Sequence, residues 1–299
     1  STDMLDLSTF LALTKTTAFS AIYFHENQLS YPWSPNDRDF RKKRDHHYSF
    51  INYVSALSAD HVLFNSRFHM NIFFKELHSF LNHFPDYNEM ESIKIIEKKS
   101  EVLSLAIELK KFDTYKNTKH NNPLILWNHR WEYDKNPELF FRSLKHVKDE
   151  GYNFDLVVLG ENFSNSPEIF QNAKDIFKEN ILHWGYAKNF DSYAKWLWKA
   201  NILPVTSNQD FFGVSVMEAI YCEAYPLLPK RLSFPELIPN KFHGDHFYQN
   251  ESELNEKLIN IIKTHKNRDL KALKKVALKY DWNYLASIYD DKMDSLLKK

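Results

Sequence analysis

From Pro123 onward, short apolar runs alternate with amphipathic stretches at a spacing that leaves few folds open. Runs at 124–128, 154–159, 181–184, 202–205 and 225–228 predict strands, and the stretches at 136–150, 168–179, 189–200 and 213–223 predict helices between them. Strand and helix in strict alternation, joined by short loops, form a parallel sheet covered on both faces. Further helices are expected at 252–265, 268–280 and 283–298. The fold class is therefore α/β, and ligands of such a sheet bind beyond the carboxyl ends of its strands. The candidate loops are 128–136, 160–165, 185–189 and 207–213.

Glycine usage sharpens this choice. A backbone that wraps closely around phosphates needs glycine, and all five glycines (Gly151, Gly160, Gly185, Gly213 and Gly244) lie in the second half. A glycine-rich nucleotide loop is thus excluded from residues 1–150. That first part reads as a strand at 19–24 ending at His25, Glu26 and Asn27, a loop marked by Pro32 and Pro35, and a helix from Asp37 to Ala59. A strand at 61–64 follows, and Ser66 is placed to cap a helix running to about His83. A helix at 89–98 and a strand near 102–107 come next. Residues 110–122 are polar and unpatterned and read as a linker.

The composition excludes several classes. Hydrophobic residues make up 43% and charged residues 26%, as in a folded globular protein. No apolar run is long enough to span a bilayer, and the first residues carry two aspartates and no basic cluster, so neither a membrane span nor a signal peptide is expected. Cys222 is the single cysteine, which fits a reducing, cytoplasmic setting. Charge is balanced at 39 basic and 39 acidic residues, which excludes a basic coat but not a local patch. The run Arg38, Arg41, Lys42, Lys43, Arg44, His46 and His47 is either such a patch or a solvated helix face. The chain opens on Ser1 without a methionine, and the expectation is that it is a fragment.

Two loops carry chemistry. In Asp210-Phe211-Phe212-Gly213-Val214-Ser215-Val216-Met217-Glu218, an acid follows a strand, a glycine opens a helix, and a second acid lies in that helix. Backbone amides at the helix start suit an anion such as a diphosphate, Gly213 lets that backbone come close to it, and Glu218 suits paired hydroxyls of a ribose. The competing reading is an ordinary amphipathic helix with an exposed Glu218. In Asn128-His129-Arg130-Trp131-Glu132-Tyr133-Asp134-Lys135-Asn136, Arg130 and Lys135 place two cations at the same end of the sheet. They either neutralise a departing diphosphate or decorate a turn. Tyr186, after Gly185, is placed to stack on a base. Trp196 and Trp198 cannot both face the sheet, because positions two apart on a helix point different ways. No cluster has metal-ligand spacing.

Together these motifs resemble the GT-B retaining glycosyltransferases, whose Glu-x7-Glu motif is matched by Asp210 and Glu218 and whose diphosphate pair is matched by Arg130 and Lys135. A closer resemblance runs through Tyr23 to Leu29, Ala59-Asp60, Phe64-Asn65-Ser66, Trp127 to Glu132, Leu159-Gly160-Glu161 and Phe211 to Val214. It is to the tRNA-queuosine alpha-mannosyltransferase family. The resemblance implies two Rossmann-like domains facing across a cleft, at 1–112 and 123–280, the first incomplete at its start, with a helix at 281–299 packing back toward the first. It implies transfer of mannose from GDP-mannose to queuosine in tRNA, no cofactor and no metal. Asp210 and His25 would contact the donor sugar, Glu218 the ribose, and the amides at Phe212 to Val214 the phosphate. For a tRNA acceptor, Arg38 to Arg44 is the natural phosphate-contact candidate. By its own chemistry, His25 either steers a proton or caps its loop. Two departures stand out. Asp210 replaces the family's glutamate and reaches about one C–C bond, ~1.5 Å, less far, and the family's early glycine-rich loop is missing. The alternatives are a lipid or polysaccharide acceptor, a sugar-nucleotide epimerase, and a non-catalytic tRNA-binding relative. Oligomeric state is left open.

Overall fold

A computed structural model of the chain describes residues 1–32, 47–161 and 167–298. It divides into two compact units, Ser1–Leu105 with Ala286–Lys299, and Ala106–Leu285.

The first unit is built on three parallel strands in the order β1 (Ala21–Phe24), β2 (His61–Phe64) and β3 (Ser100–Val102), with Ala21 opposite His61 and Val62 opposite Ser100. Helices α1 (Leu7–Thr14), α2 (His47–Ser58), α3 (Arg67–Leu81) and α4 (Glu91–Lys98) accompany them. Alternate residues Ile22 and Phe24 point into a core with Val62, Phe64, Phe73 and Leu77, and the Phe24 and Phe64 rings stack at 5.2 Å. Ser66 caps α3 by accepting from the His69 amide at 3.0 Å, as its position predicts. The strand expected near 102–107 ends instead at Val102, and Ile107 makes only a single bridge to Asp281. The chain turns there because Leu109–Tyr115 coils into a 3-10 helix.

The second unit holds six parallel strands in the order β6 (Ile181–Trp184), β5 (Asp155–Val158), β4 (Leu124–Trp127), β7 (Ile202–Pro204), β8 (Tyr225–Pro229) and β9 (Phe247–Tyr248). Numbered from β4, this is the 3-2-1-4-5-6 arrangement of doubly wound nucleotide-binding sheets. The chain winds outward from β4 through β5 to β6, then returns to β7 on the other side. The carboxyl ends of β4 and β7 therefore diverge into a crevice at the switch point. Helices α5 (Pro137–Asp149), α6 (Ile169–Ile176) and α11 (Glu251–Thr264) share one aromatic-rich core through Phe140, Phe141, Phe170, Leu254 and Leu258. Helices α7 (Phe190–Lys199), α8 (Val214–Tyr221) and α12 (Lys271–Ala277) form a second group, with α8 packed on the other two. The short helices α9 (Phe234–Leu237) and α10 (His243–His246) precede β9, and α13 (Trp282–Leu297) ends the chain.

The expected linker at 110–122 is part of the second unit. Phe112 is buried against Phe190 at 4.9 Å, its carbonyl accepts from Trp198 Nε1 at 2.8 Å, and Lys119 Nζ donates to the carbonyls of Ala200 and Cys222 at 2.6 and 2.8 Å. His120 Nε2 and Asn122 Nδ2 both lie within hydrogen-bond distance of Asp155 Oδ2, at 2.6 and 3.2 Å, so polar contacts fix much of the segment without an apolar period. Trp198 is the inward member of its pair. Trp196 remains partly exposed under Lys199.

Candidate functional site

The loop after β4 is folded back on its own strand. Trp127 Nε1 donates to the His129 carbonyl at 2.9 Å, and Trp131 Nε1 donates to the Leu159 carbonyl at 3.0 Å. This draws the loop after β5 against it. Only glycine fits at position 160, where φ is +121° and a Cβ would lie 2.0 Å from the His129 carbonyl oxygen.

The loop after β7 is laced to the same segment. Thr206 Oγ1 donates to the carbonyls of Lys135 and Asn136 at 2.9 and 3.0 Å, and the Asn208 amide donates to the Asp134 carbonyl at 2.7 Å. Lys135 Nζ closes the seam. It donates to the Gln209 carbonyl at 2.9 Å and sits 3.0 Å from Asp134 Oδ2 and 3.4 Å from Asp210 Oδ2. Burial opposes the lysine's charge, but the Asp210 and Asp134 carboxylates outweigh it and hold the ammonium above its ordinary pKa. From the far side, Arg231 donates to the Ser207 carbonyl at 2.9 Å. Ser233 Oγ donates to the Phe212 carbonyl at 3.0 Å.

Gly213 then opens α8 in a left-handed conformation, φ +96°, and offers no side-chain cap to the first turn. The leading amides of a helix have no intrahelical acceptor, so those of α8 present donors and the positive end of the helix dipole to the crevice. Further along α8, Glu218 accepts from the Tyr193 hydroxyl of α7 at 2.6 Å. Burial raises its carboxyl to about 7, and the Tyr193 hydrogen bond pulls the other way. Asn128 Nδ2 donates to the Ser215 carbonyl at 2.8 Å, and Ser215 Oγ lies 3.1 Å from His129 Nδ1.

Buried polar atoms without partners collect here. Asn128 Oδ1, His129 Nε2, Ser207 Oγ and Gln209 Nε2 are all buried and unpartnered, and all four belong to the loops after β4 and β7. Burial, with help from Lys135, lowers His129 to about 3, so its imidazole is neutral. An unsatisfied buried polar group costs about 1–3 kcal/mol, and such groups are rare in ordinary cores. A ligand rich in hydroxyls and phosphoryl oxygens supplies matching partners.

Among the residues singled out from sequence, the structure brings Lys135, Asp210 and Gly213 to this crevice, with Phe212 and Val214 flanking Gly213. Glu218 lies on the helix that leaves it. Arg130 is half exposed on the rim and 3.2 Å from Glu132. His25 belongs to the first unit, exposed after β1, its amide donating to Asp3 Oδ1 at 3.2 Å. Tyr186 is exposed after β6, the outer strand of the sheet. The basic run at Arg38 to Arg44 lies outside the described residues, as do 162–165 of the loop after β5. Sequence reasoning missed Asp134, Tyr193 and Ser215. Asp134 adjoins Lys135 and was open to a charge-pairing argument; Tyr193 and Ser215 carry no local signal. Among the described residues, no group of three His, Cys, Asp or Glu side chains gathers in a form that holds a metal ion.

Residues 110–277 match the family described as glycosyl transferases group 1, and residues 1–107 match the tRNA-queuosine alpha-mannosyltransferase N-terminal family. The chain belongs to the group 1 glycosyltransferases. It is 33% identical over 248 residues to the tRNA-queuosine alpha-mannosyltransferase of Drosophila melanogaster, an alignment covering 80% of this chain and 63% of the fly protein. The chain thus spans less than two thirds of that relative's length. Among solved structures it resembles sucrose-phosphate synthase from Thermosynechococcus elongatus, with a TM-score of 0.70, 14% identity and coverage of 97% of this chain and 71% of that one. It likewise resembles the catalytic domain of starch synthase IV from Arabidopsis thaliana, with a TM-score of 0.69, 14% identity and coverage of 99% and 71%. At these identities the likeness defines the fold, which is GT-B.

Proposed function

We propose that the chain carries the donor site of a retaining glycosyltransferase that moves mannose from GDP-mannose to queuosine in tRNA. The observation that carries the donor site is the cluster of unpartnered buried polar atoms around the Lys135 ammonium, at the switch point of the second sheet. The choice of mannose and of a tRNA acceptor rests on the likeness to the fly protein and on the match of residues 1–107.

In this reading, Lys135, Arg130 and the amides from Phe212 to Val214 hold the donor diphosphate. Lys135 is held charged by its two carboxylates and is fixed by the Gln209 carbonyl, so it meets charge developing on the leaving group without rearranging. Glu218 accepts from the ribose hydroxyls in its ionised form. Asp210 and His25 contact the donor sugar. No metal is needed, because these cations and the helix dipole neutralise the diphosphate.

The test is incubation with GDP-mannose and queuosine-containing tRNA, followed by nucleoside mass spectrometry. Mannosyl-queuosine is expected, and none on tRNA lacking queuosine. Transfer from UDP- or ADP-sugars in preference would overturn the donor assignment. Acceptor-independent conversion of the nucleotide sugar would move the reading to an epimerase, and tRNA binding without nucleotide binding to a non-catalytic relative.

A further inference from the structure

The amino ends of the second unit's strands border a cavity of about 740 Å³, at the edge of the sheet opposite the crevice. Lys119 and Asn121, just before β4, line one side, and Asn201 and Tyr225, at the starts of β7 and β8, line another. The segment joining α11 to α12 contributes Lys266, Arg268, Asp269 and Lys271. A volume of this size suits a small organic ligand.

Its charge is one-sided. Three cationic side chains (Lys266, Arg268 and Lys271) line it with two carboxylates, and one of those, Glu223, is already bridged to Lys274 at 3.2 Å. Lys119 donates instead to the Ala200 and Cys222 carbonyls, and burial lowers its ammonium pKa to about 7. Asp269 turns a carboxylate oxygen to the Lys271 amide at 3.0 Å. His120 and His265 also line the cavity but are committed, to Asp155 at 2.6 Å and to the Ile262 carbonyl at 2.9 Å. Among the described residues, Lys266, Arg268 and Lys271 pair with no carboxylate. Arg268 is also oriented. Its guanidinium lies 4.4 Å above the Tyr225 ring, and its Nη2 donates to Thr264 Oγ1 at 2.6 Å. Its Nε also donates to Thr264 Oγ1, at 3.2 Å, so the Nη1 protons and the second Nη2 proton are the donors left for an anion.

We propose that this cavity is a second anion site, which holds a phosphate group on Arg268, Lys266 and Lys271. Two sources share that chemistry: a small phosphate monoester and a phosphate of an RNA backbone.

Thermal unfolding of the whole chain tests the proposal, with inorganic phosphate, glycerol 1-phosphate and an RNA oligonucleotide as probes. Phosphate or its monoester is expected to raise Tm by about 2–4 °C, a shift that corresponds to roughly 1 kcal/mol in a unit of this size. The rise is expected unchanged in Arg130→Ala and lost in Arg268→Ala and in the double variant Lys266→Ser/Lys271→Ser. The double variant alters only exposed lysines and stays informative if Arg268→Ala fails to fold. If only the oligonucleotide binds, and the double variant reduces the salt slope of that binding, the phosphate belongs to RNA and the site stands. A rise that persists in the double variant, a rise abolished by Arg130→Ala, or no response to any probe would each overturn the proposal.

Discussion

At the carboxyl edge of the first sheet, buried Asn27 takes hydrogen bonds from the Ser30 amide and hydroxyl, at 2.9 and 3.1 Å. Asn52 joins the Gln28 amide to the Asp3 carbonyl, and Asn65 joins the His25 carbonyl to His69 Nδ1. Polar side chains there are used up in holding their own loops, with Asn27 Nδ2 left over. At the carboxyl edge of the second sheet, residues of the same kinds leave Asn128 Oδ1, His129 Nε2, Ser207 Oγ and Gln209 Nε2 over, around a buried ammonium and two carboxylates. An edge that satisfies most of its own polar groups gains less from a ligand than one with several unmet donors and acceptors. Both sheets are parallel, but only the six-stranded one has a switch point, and the two carboxyl edges differ in this chemistry.

The contrast breaks most decisively at Lys135. Lys135→Met removes the cation between the buried Asp134 carboxylate and the partly buried Asp210. It is expected to cost about 3–5 kcal/mol of stability and, where the protein still folds, roughly 100-fold or more in turnover. Urea unfolding and single-turnover transfer measure the two effects. A variant with wild-type turnover would remove Lys135 from the donor site. Gly160→Ala comes next. Its φ of +121° and the 2.0 Å approach of a Cβ to the His129 carbonyl are expected to cost about 3 kcal/mol, read as a fall in the denaturation midpoint.

Glu218→Gln sharpens the comparison through pH. Burial raises the Glu218 carboxyl from 4.5 to about 7 in the folded state, so the folded protein binds this proton more tightly than the unfolded chain does. The contribution is fully present below pH 4.5 and is lost as pH rises toward 7. Glu218→Gln is expected to flatten the stability profile across that window. It is also expected to weaken GDP binding by about tenfold, or ~1.4 kcal/mol, with the largest loss above pH 7, where the wild-type carboxylate is ionised. Unfolding at a series of pH values, with calorimetry for GDP, reads both. The smallest effect on stability belongs to His25→Ala. It removes an exposed imidazole and leaves the loop's backbone hydrogen bonds in place, so the change is expected within about 0.5 kcal/mol. Loss of transfer with an unchanged Tm would assign His25 to the reaction, and loss of both would make it a loop cap.

How far the sequence could be read follows from the range of each signal. The strand and helix alternation of the second unit was legible because burial on both faces writes itself into each segment separately. Asp210, Gly213 and Glu218 share one strand–loop–helix passage, so their spacing was visible. Lys135 and Asp210 were each visible in their own loops, but the pair they form spans 75 residues, and no local pattern encodes it. Tyr193 reads as one more aromatic in an amphipathic helix until α7 is laid beside α8. The two-residue strand β9 is too short to show a period, and α1 was not anticipated. The segment at 110–122 looked like a linker because polar contacts such as those of Lys119 with two carbonyls and of His120 with Asp155 leave no trace in hydropathy.

The two indoles that hang from the crevice loops have an optical consequence. Trp127 is tied to the His129 carbonyl, and Trp131 to the Leu159 carbonyl, with Trp131 stacked on Phe170 at 4.4 Å. Both chromophores are shielded from solvent, so their emission reports on the field and the quenching groups beside them rather than on exposure. Any molecule that takes up the unmet hydrogen bonds of Asn128 and His129 perturbs the same peptide groups that hold these rings. The crevice thus carries two indoles whose emission is expected to change on occupancy, over the background of the chain's five other tryptophans.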